Sequence, residues 1–129
     1  MAKSTTALVL VSSASNTAGS TTRGRADVST KDGGEIRWKI TNGATGPTVQ
    51  CTVNVLVAQS QGSMPAAAAE GTGDTAWKQV FSQGGGTSNN GVIRGKYRFG
   101  PEVQYIEIEF TGNTAQTVTV ECTGDAYSY

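Results

Sequence analysis

Between residues 48 and 60, Val49, Cys51, Val53, Val55 and Val57 alternate with Gln50, Thr52 and Asn54. A period of two over this length belongs to a strand with one face buried. The same alternation places Ile93, Gly95, Tyr97 and Phe99 on one face of a strand at 92–99. It does the same for Ile106, Ile108 and Phe110 in 103–111, and for Val118, Val120 and Cys122 in the strand that follows. Further strands are predicted at 4–13, 23–30, 35–41 and 77–82, with residues 7–11 continuously apolar, as when both faces are covered. Gly, Asn, Ser and Asp cluster between these runs, and no stretch has a convincing helical period. About eight strands of this kind predict an all-β fold, an antiparallel β-sandwich of jelly-roll or immunoglobulin-like type in a single domain over 1–129. Residues 1–6 and 124–129 are expected to form a mobile N-terminal arm and a C-terminal tail.

Turn signals suggest which strands pair. Lys31-Asp32-Gly33-Gly34 reads as a hairpin setting Lys31 opposite Glu35, Val28 opposite Trp38, Ala26 opposite Ile40 and Asp27 beside Lys39. Gly100-Pro101-Glu102 predicts a second hairpin, with Tyr97 opposite Ile106 and Arg94, Lys96 and Arg98 near Glu107 and Glu109. A turn at 113–115 would set Phe110 against Val118, Ile108 against Val120 and Ile106 against Cys122, with Glu107 facing Glu121. Residues 12–22 and 61–76 read as polar or small-residue loops, with alanines 66–69 capable of one helical turn. A loop as long as the second tends to be functional or disordered.

Composition sharpens the strand reading. Leucine occurs only at Leu8, Leu10 and Leu56, while valine and threonine abound. Ten Lys and Arg balance ten Asp and Glu, which argues against nucleic-acid or anionic-membrane binding. Yet residues 99–129 hold five acidic groups and no basic one. No segment approaches the roughly 20 apolar residues of a membrane span. The stretch 7–11 is shorter than the roughly 7–15 residues of a signal-peptide core, so synthesis without Sec export is expected.

The chemistry on offer is sparse. Histidine is absent, which removes the commonest general base and metal ligand, and no enzymatic activity, cofactor or metal is expected. Cys51 and Cys122 lack zinc-site spacing and should point inward, as free thiols or, alternatively, as an inter-sheet disulfide. Glu107 and Glu109, two apart, could do acid–base work but are expected on a solvated ion-pair face. Gly84-Gly85-Gly86 lacks the Lys-Ser/Thr of a phosphate loop, and Arg23-Gly24-Arg25 reads as exposed arginines. Trp38, Trp77 and Tyr105 could form a sugar-stacking platform, but the core claims Trp38, leaving Trp77 open for contact. Tyr127 and Tyr129 suit docking onto a neighbouring subunit.

Tyr97-Arg98-Phe99-Gly100, the run from Tyr105 through Glu107-Ile108-Glu109-Phe110 to Thr114, and Val118-Thr119-Val120 resemble small β-sandwich virion proteins of tailed bacteriophages. RNA-phage coat proteins of this length end in two helices, whereas this chain ends in strand. The resemblance implies a virion component made in the bacterial cytoplasm and assembled in many copies, and it defines no active site. The expected function is capsid decoration or cement, as a homo-oligomer on the major capsid protein or other virion proteins. A tail or baseplate component is the sibling alternative, and a glycan-binding sandwich centred on Trp77 is the alternative of another class. Lys3, Met64, Trp77, Tyr127 and Tyr129 are the candidate interface residues.

Overall fold

The computed structural model describes residues 2–59, 61–69 and 73–129. Eight strands run in order: β1 Ser4–Asn16, β2 Thr22–Asp27, β3 Gly33–Asn42, β4 Thr52–Ala58, β5 Lys78–Gly84, β6 Val92–Phe99, β7 Tyr105–Thr111 and β8 Val118–Ser128. They form two antiparallel four-stranded sheets, β1-β8-β3-β6 and β2-β7-β4-β5. This order is that of a jelly roll, so the topology decides between the two sandwich types.

Alternation predicted the faces, but the predicted partners are wrong. Val28, Ile36, Trp38, Ile40, Val53, Val55, Ile106, Ile108, Phe110, Val118, Val120 and Cys122 all enter the central core. However, β2 pairs with β7 rather than β3, β6 with β3 rather than β7, and β8 with β1 and β3 rather than β7. Each predicted hairpin is in fact a crossing from one sheet to the other. Both sheets aim their apolar faces at the same core, so consecutive strands look paired whichever sheet they occupy. Among the described strands, β4 and β5 are the one consecutive bonded pair, joined by the long loop over 59–77.

The apolar run at 7–11 also has a different cause. β1 is an edge strand whose register against β8 shifts between Val9 and Val11 and again before Ala14, where Ser13 takes a φ of 34°. An extra residue in a strand turns neighbours to the same side, and Leu10 and Val11 are both buried while Val9 is 63% exposed. β1 and β2 close one side of the sandwich. Gly24 makes this possible, because a Cβ there would collide with the carbonyl of Leu10. Asn16 and Asn113 are buried and bonded to each other, Nδ2 of Asn16 donating to Oδ1 of Asn113 at 2.6 Å, which ties β1 to the β7–β8 turn. Cys51 and Cys122 are buried free thiols, and desolvation pushes them up to about 11 and about 12 respectively.

Candidate functional site

The chain ends meet in one corner. Ser4 pairs with Ser128 and Thr5 with Tyr127, so the expected arm and tail are, at 4–6 and 124–128, the ends of the β1–β8 ladder. Residue 1 of the arm lies outside the described residues. The Lys3 ammonium sits 5.8 Å from the Tyr127 ring centre, within cation–π range. Tyr127 and Tyr129 meet edge to face at 5.7 Å. The Tyr129 amide donates to Oδ2 of Asp32 at 2.8 Å. A groove of about 460 Å³ opens here, lined by Lys3, Glu35, Arg98, Phe99, Asp125 and Tyr127 among others. Three of the five candidate interface residues are therefore brought together.

The other two are elsewhere. Met64 is exposed in the loop between β4 and β5. Trp77 is 6% exposed and packs with Leu56, Ala58, Ala68 and Tyr105 in a second cluster. Its indole N–H donates to the Ala66 carbonyl at 2.6 Å. Trp77 is thus a loop anchor and not an open contact residue, because burial and a satisfied N–H favour it there. With Trp38 and Tyr105 also buried, the sugar-stacking platform does not form.

Pro65, Ala66, Ala68 and Trp77 of that loop lie against the outer face of β2-β7-β4-β5, where Glu107 and Glu109 are buried rather than solvated. Glu107 accepts from the Ala68 amide at 3.3 and 3.2 Å and lies 4.0 Å from Arg25. Arg25 donates in turn to the Pro65 carbonyl at 2.7 Å. Glu109 faces Arg23 at 3.7 Å and Asn54 at 3.4 Å. Desolvation raises the Glu107 pKa above the usual glutamate value, opposed by the Ala68 hydrogen bond and reinforced by the charge of Glu109. The complementary spacing of Arg23-x-Arg25 and Glu107-x-Glu109 was the available signal for this pairing. The predicted partners, Arg94, Lys96 and Arg98, lie on the other sheet. Residues 70–72 of the loop lie outside the described residues.

The outer face of β1-β8-β3-β6 is a solvated charge lattice. Arg37 reaches Asp125 at 2.7 Å, Lys39 reaches Glu121 at 3.0 Å and Arg98 reaches Glu35 at 3.1 Å. Glu121 therefore faces Lys39 and not Glu107. On the side away from β1 and β2, the edge strands β5 and β6 leave the sandwich open, with Val80, Phe81 and Val92 exposed. The Phe81 ring lies 5.6 Å from that of Trp38, whose indole N–H donates to Oε1 of Gln83 at 2.8 Å.

No protein-family model matches the chain, and no curated sequence does. Among solved structures it is similar to the SPBc2 prophage-derived protein YomS, at 15% identity and a TM-score of 0.50 over 99% of this chain and 96% of that one. It is similar to the K1 cleaved adhesin domain of Lys-gingipain from Porphyromonas gingivalis W83, at 6% identity and a TM-score of 0.50 over 79% and 59%. A match to the T13 IBDV viral particle has 8% identity and a TM-score of 0.48 over 98% of this chain and 31% of that one. For the first two the likeness is one of fold.

Proposed function

We propose that this chain is a structural protein of a virion, a decoration or cement protein that acts through protein–protein contact without catalysis. The observation that carries the reading is the open β5–β6 side, where two strands end their sheets among the described residues and Val80, Phe81 and Val92 are exposed. Unpaired edges and exposed apolar groups are where one chain adds to another. A jelly roll is a body used in viral shells, and the fold shared with a prophage-derived protein of nearly equal span supports the same reading by analogy. The corner groove of Lys3, Tyr127 and Tyr129 is a second contact region, suited to a neighbouring copy. Stabilisation would come from added interface, since area buried between shell subunits raises the barrier to their separation. The decisive test mixes purified protein with particles that lack it. Co-sedimentation and a higher particle melting temperature are expected, with an oligomer by analytical ultracentrifugation. A monomer that binds no particle would overturn the reading, and binding to tails alone would move it to the tail or baseplate.

A further inference from the structure

On the outer face of the β3–β6 ladder, Arg37 stands directly opposite Lys96 and Lys39 directly opposite Arg94. Like charges facing each other across strands are destabilising. Arg37 and Lys39 have carboxylate partners on the β3–β8 side. Among the described residues, Arg94 and Lys96 form no ion pair, and both are exposed. Next to them, β6 ends its sheet, so among the described residues no strand lies beside its outer backbone groups. On the inner face of β6, Gly95 lies between half-buried Ile93 and Tyr97. A Cβ at Gly95 would collide with the Trp38 ring and with Gln83, so the glycine makes room for these two side chains at the sandwich mouth, where Phe81 is 41% exposed.

We infer that the β6 edge accepts an extended strand of another protein in which acidic and apolar residues alternate. The acidic side chains would lie about 5 Å from Arg94, Lys96 and Arg98 on the outer face. The intervening apolar ones would face Ile93, Tyr97 and the exposed Phe81 ring. Backbone pairing supplies affinity in such strand addition and the alternate side chains supply selectivity. A second copy of this chain is disfavoured as the occupant, because β6 against β6 would set cations against cations. A uniform polyanion is disfavoured because Glu35, Glu121 and Asp125 occupy the same face. The inference depends on the virion reading only for where the partner strand comes from.

The test uses the full chain and two synthetic extended peptides, one alternating Glu with Val and one alternating Lys with Val. Calorimetry should show that the Glu peptide binds, weakens with added salt and protects β6 amides from hydrogen exchange, while the Lys peptide does none of these. The Arg94→Glu/Lys96→Glu double variant changes exposed side chains, and it should lose about tenfold in affinity for the Glu peptide while gaining affinity for the Lys peptide. Equal binding of both peptides, indifference to the charge reversal, or protection away from β6 would overturn the inference. So would a single-stranded oligonucleotide that binds more tightly than the Glu peptide. Since no particle is involved, an inert edge on a protein that still binds particles would refute this inference and leave the virion reading standing.

Discussion

Both outer faces of the sandwich carry cross-strand pairs of arginine or lysine with glutamate or aspartate, but in opposite environments. On β1-β8-β3-β6 the contacts are short, 2.7 Å for Arg37–Asp125 and 3.0 Å for Lys39–Glu121, and solvent reaches both partners. On β2-β7-β4-β5 they are longer, 4.0 Å for Arg25–Glu107 and 3.7 Å for Arg23–Glu109, and both carboxylates are buried, Glu107 against Ala68 of the loop. Distance alone would rank the exposed pairs as stronger. Solvent reverses the ranking, because exposed pairs are screened while a buried charge left without its partner cannot recover its hydration.

The largest expected effect comes from uncovering the buried face. Trp77→Ala should cost about 3–5 kcal/mol in urea unfolding, as for other large-to-small changes at buried aromatics. A loss below about 1 kcal/mol would mean that the loop is not held to the sheet by this side chain. Arg25→Ala should come next, at roughly 2 kcal/mol. That is less than the loss of a partner from a fully buried pair, because Arg25 is itself about one-third exposed and Arg23 stays nearby.

Acidity should act with opposite signs on two carboxylates of the β2–β7 ladder. Folding raises the Glu107 pKa above its ordinary value of 4.5, so the folded state binds that proton more readily than the unfolded chain. Its stabilising contribution is complete below the ordinary value and is lost as pH rises through the raised one. Wild type should therefore gain stability relative to Glu107→Gln on acidification from neutral towards 4.5. A difference between them that does not vary with pH would contradict the burial of this charge. Asp27 acts in the opposite direction. Its hydrogen bonds with Ser29 lower its pKa, so its contribution is lost as pH falls through that lowered value. On the solvated face, Lys39→Ala should change stability by about 0–1 kcal/mol, an effect that largely disappears in about 1 M salt. The smallest change is expected in alkylation of the native protein. Cys51 and Cys122 should stay unmodified under conditions that label the urea-unfolded chain, since both are buried and their pKa values are raised.

Glu107 and Glu109 show where reading the chain alone fell short. Their alternation with Ile106, Ile108 and Phe110 correctly put them on the face away from the core, and such a face is solvated unless something covers it. Over Glu107 the cover is the loop stretch around Pro65 and Ala68, whose small side chains and backbone groups carry no periodic signal of their own. The burial of Trp77 is illegible in the sequence for the same reason, since its partners Leu56, Ala58 and Tyr105 belong to strands far from it in sequence. The positions of Lys3, Tyr127 and Tyr129 near the chain ends are plain in the sequence, but their meeting in one corner requires β1 and β8 to be neighbours.

Residue alternation by itself determined that the chain is built of about eight strands and which side chains of most of them point inward. This information is local, because successive side chains of a strand leave on opposite faces whatever lies beside it. Only the tertiary structure decided which strands are neighbours, which outer face is covered and which edges stay open. Backbone hydrogen bonds between strands carry no side-chain signature, and one core accepts the apolar face of either sheet. The jelly-roll order, the buried carboxylates and the cationic β6 edge all follow from that non-local choice.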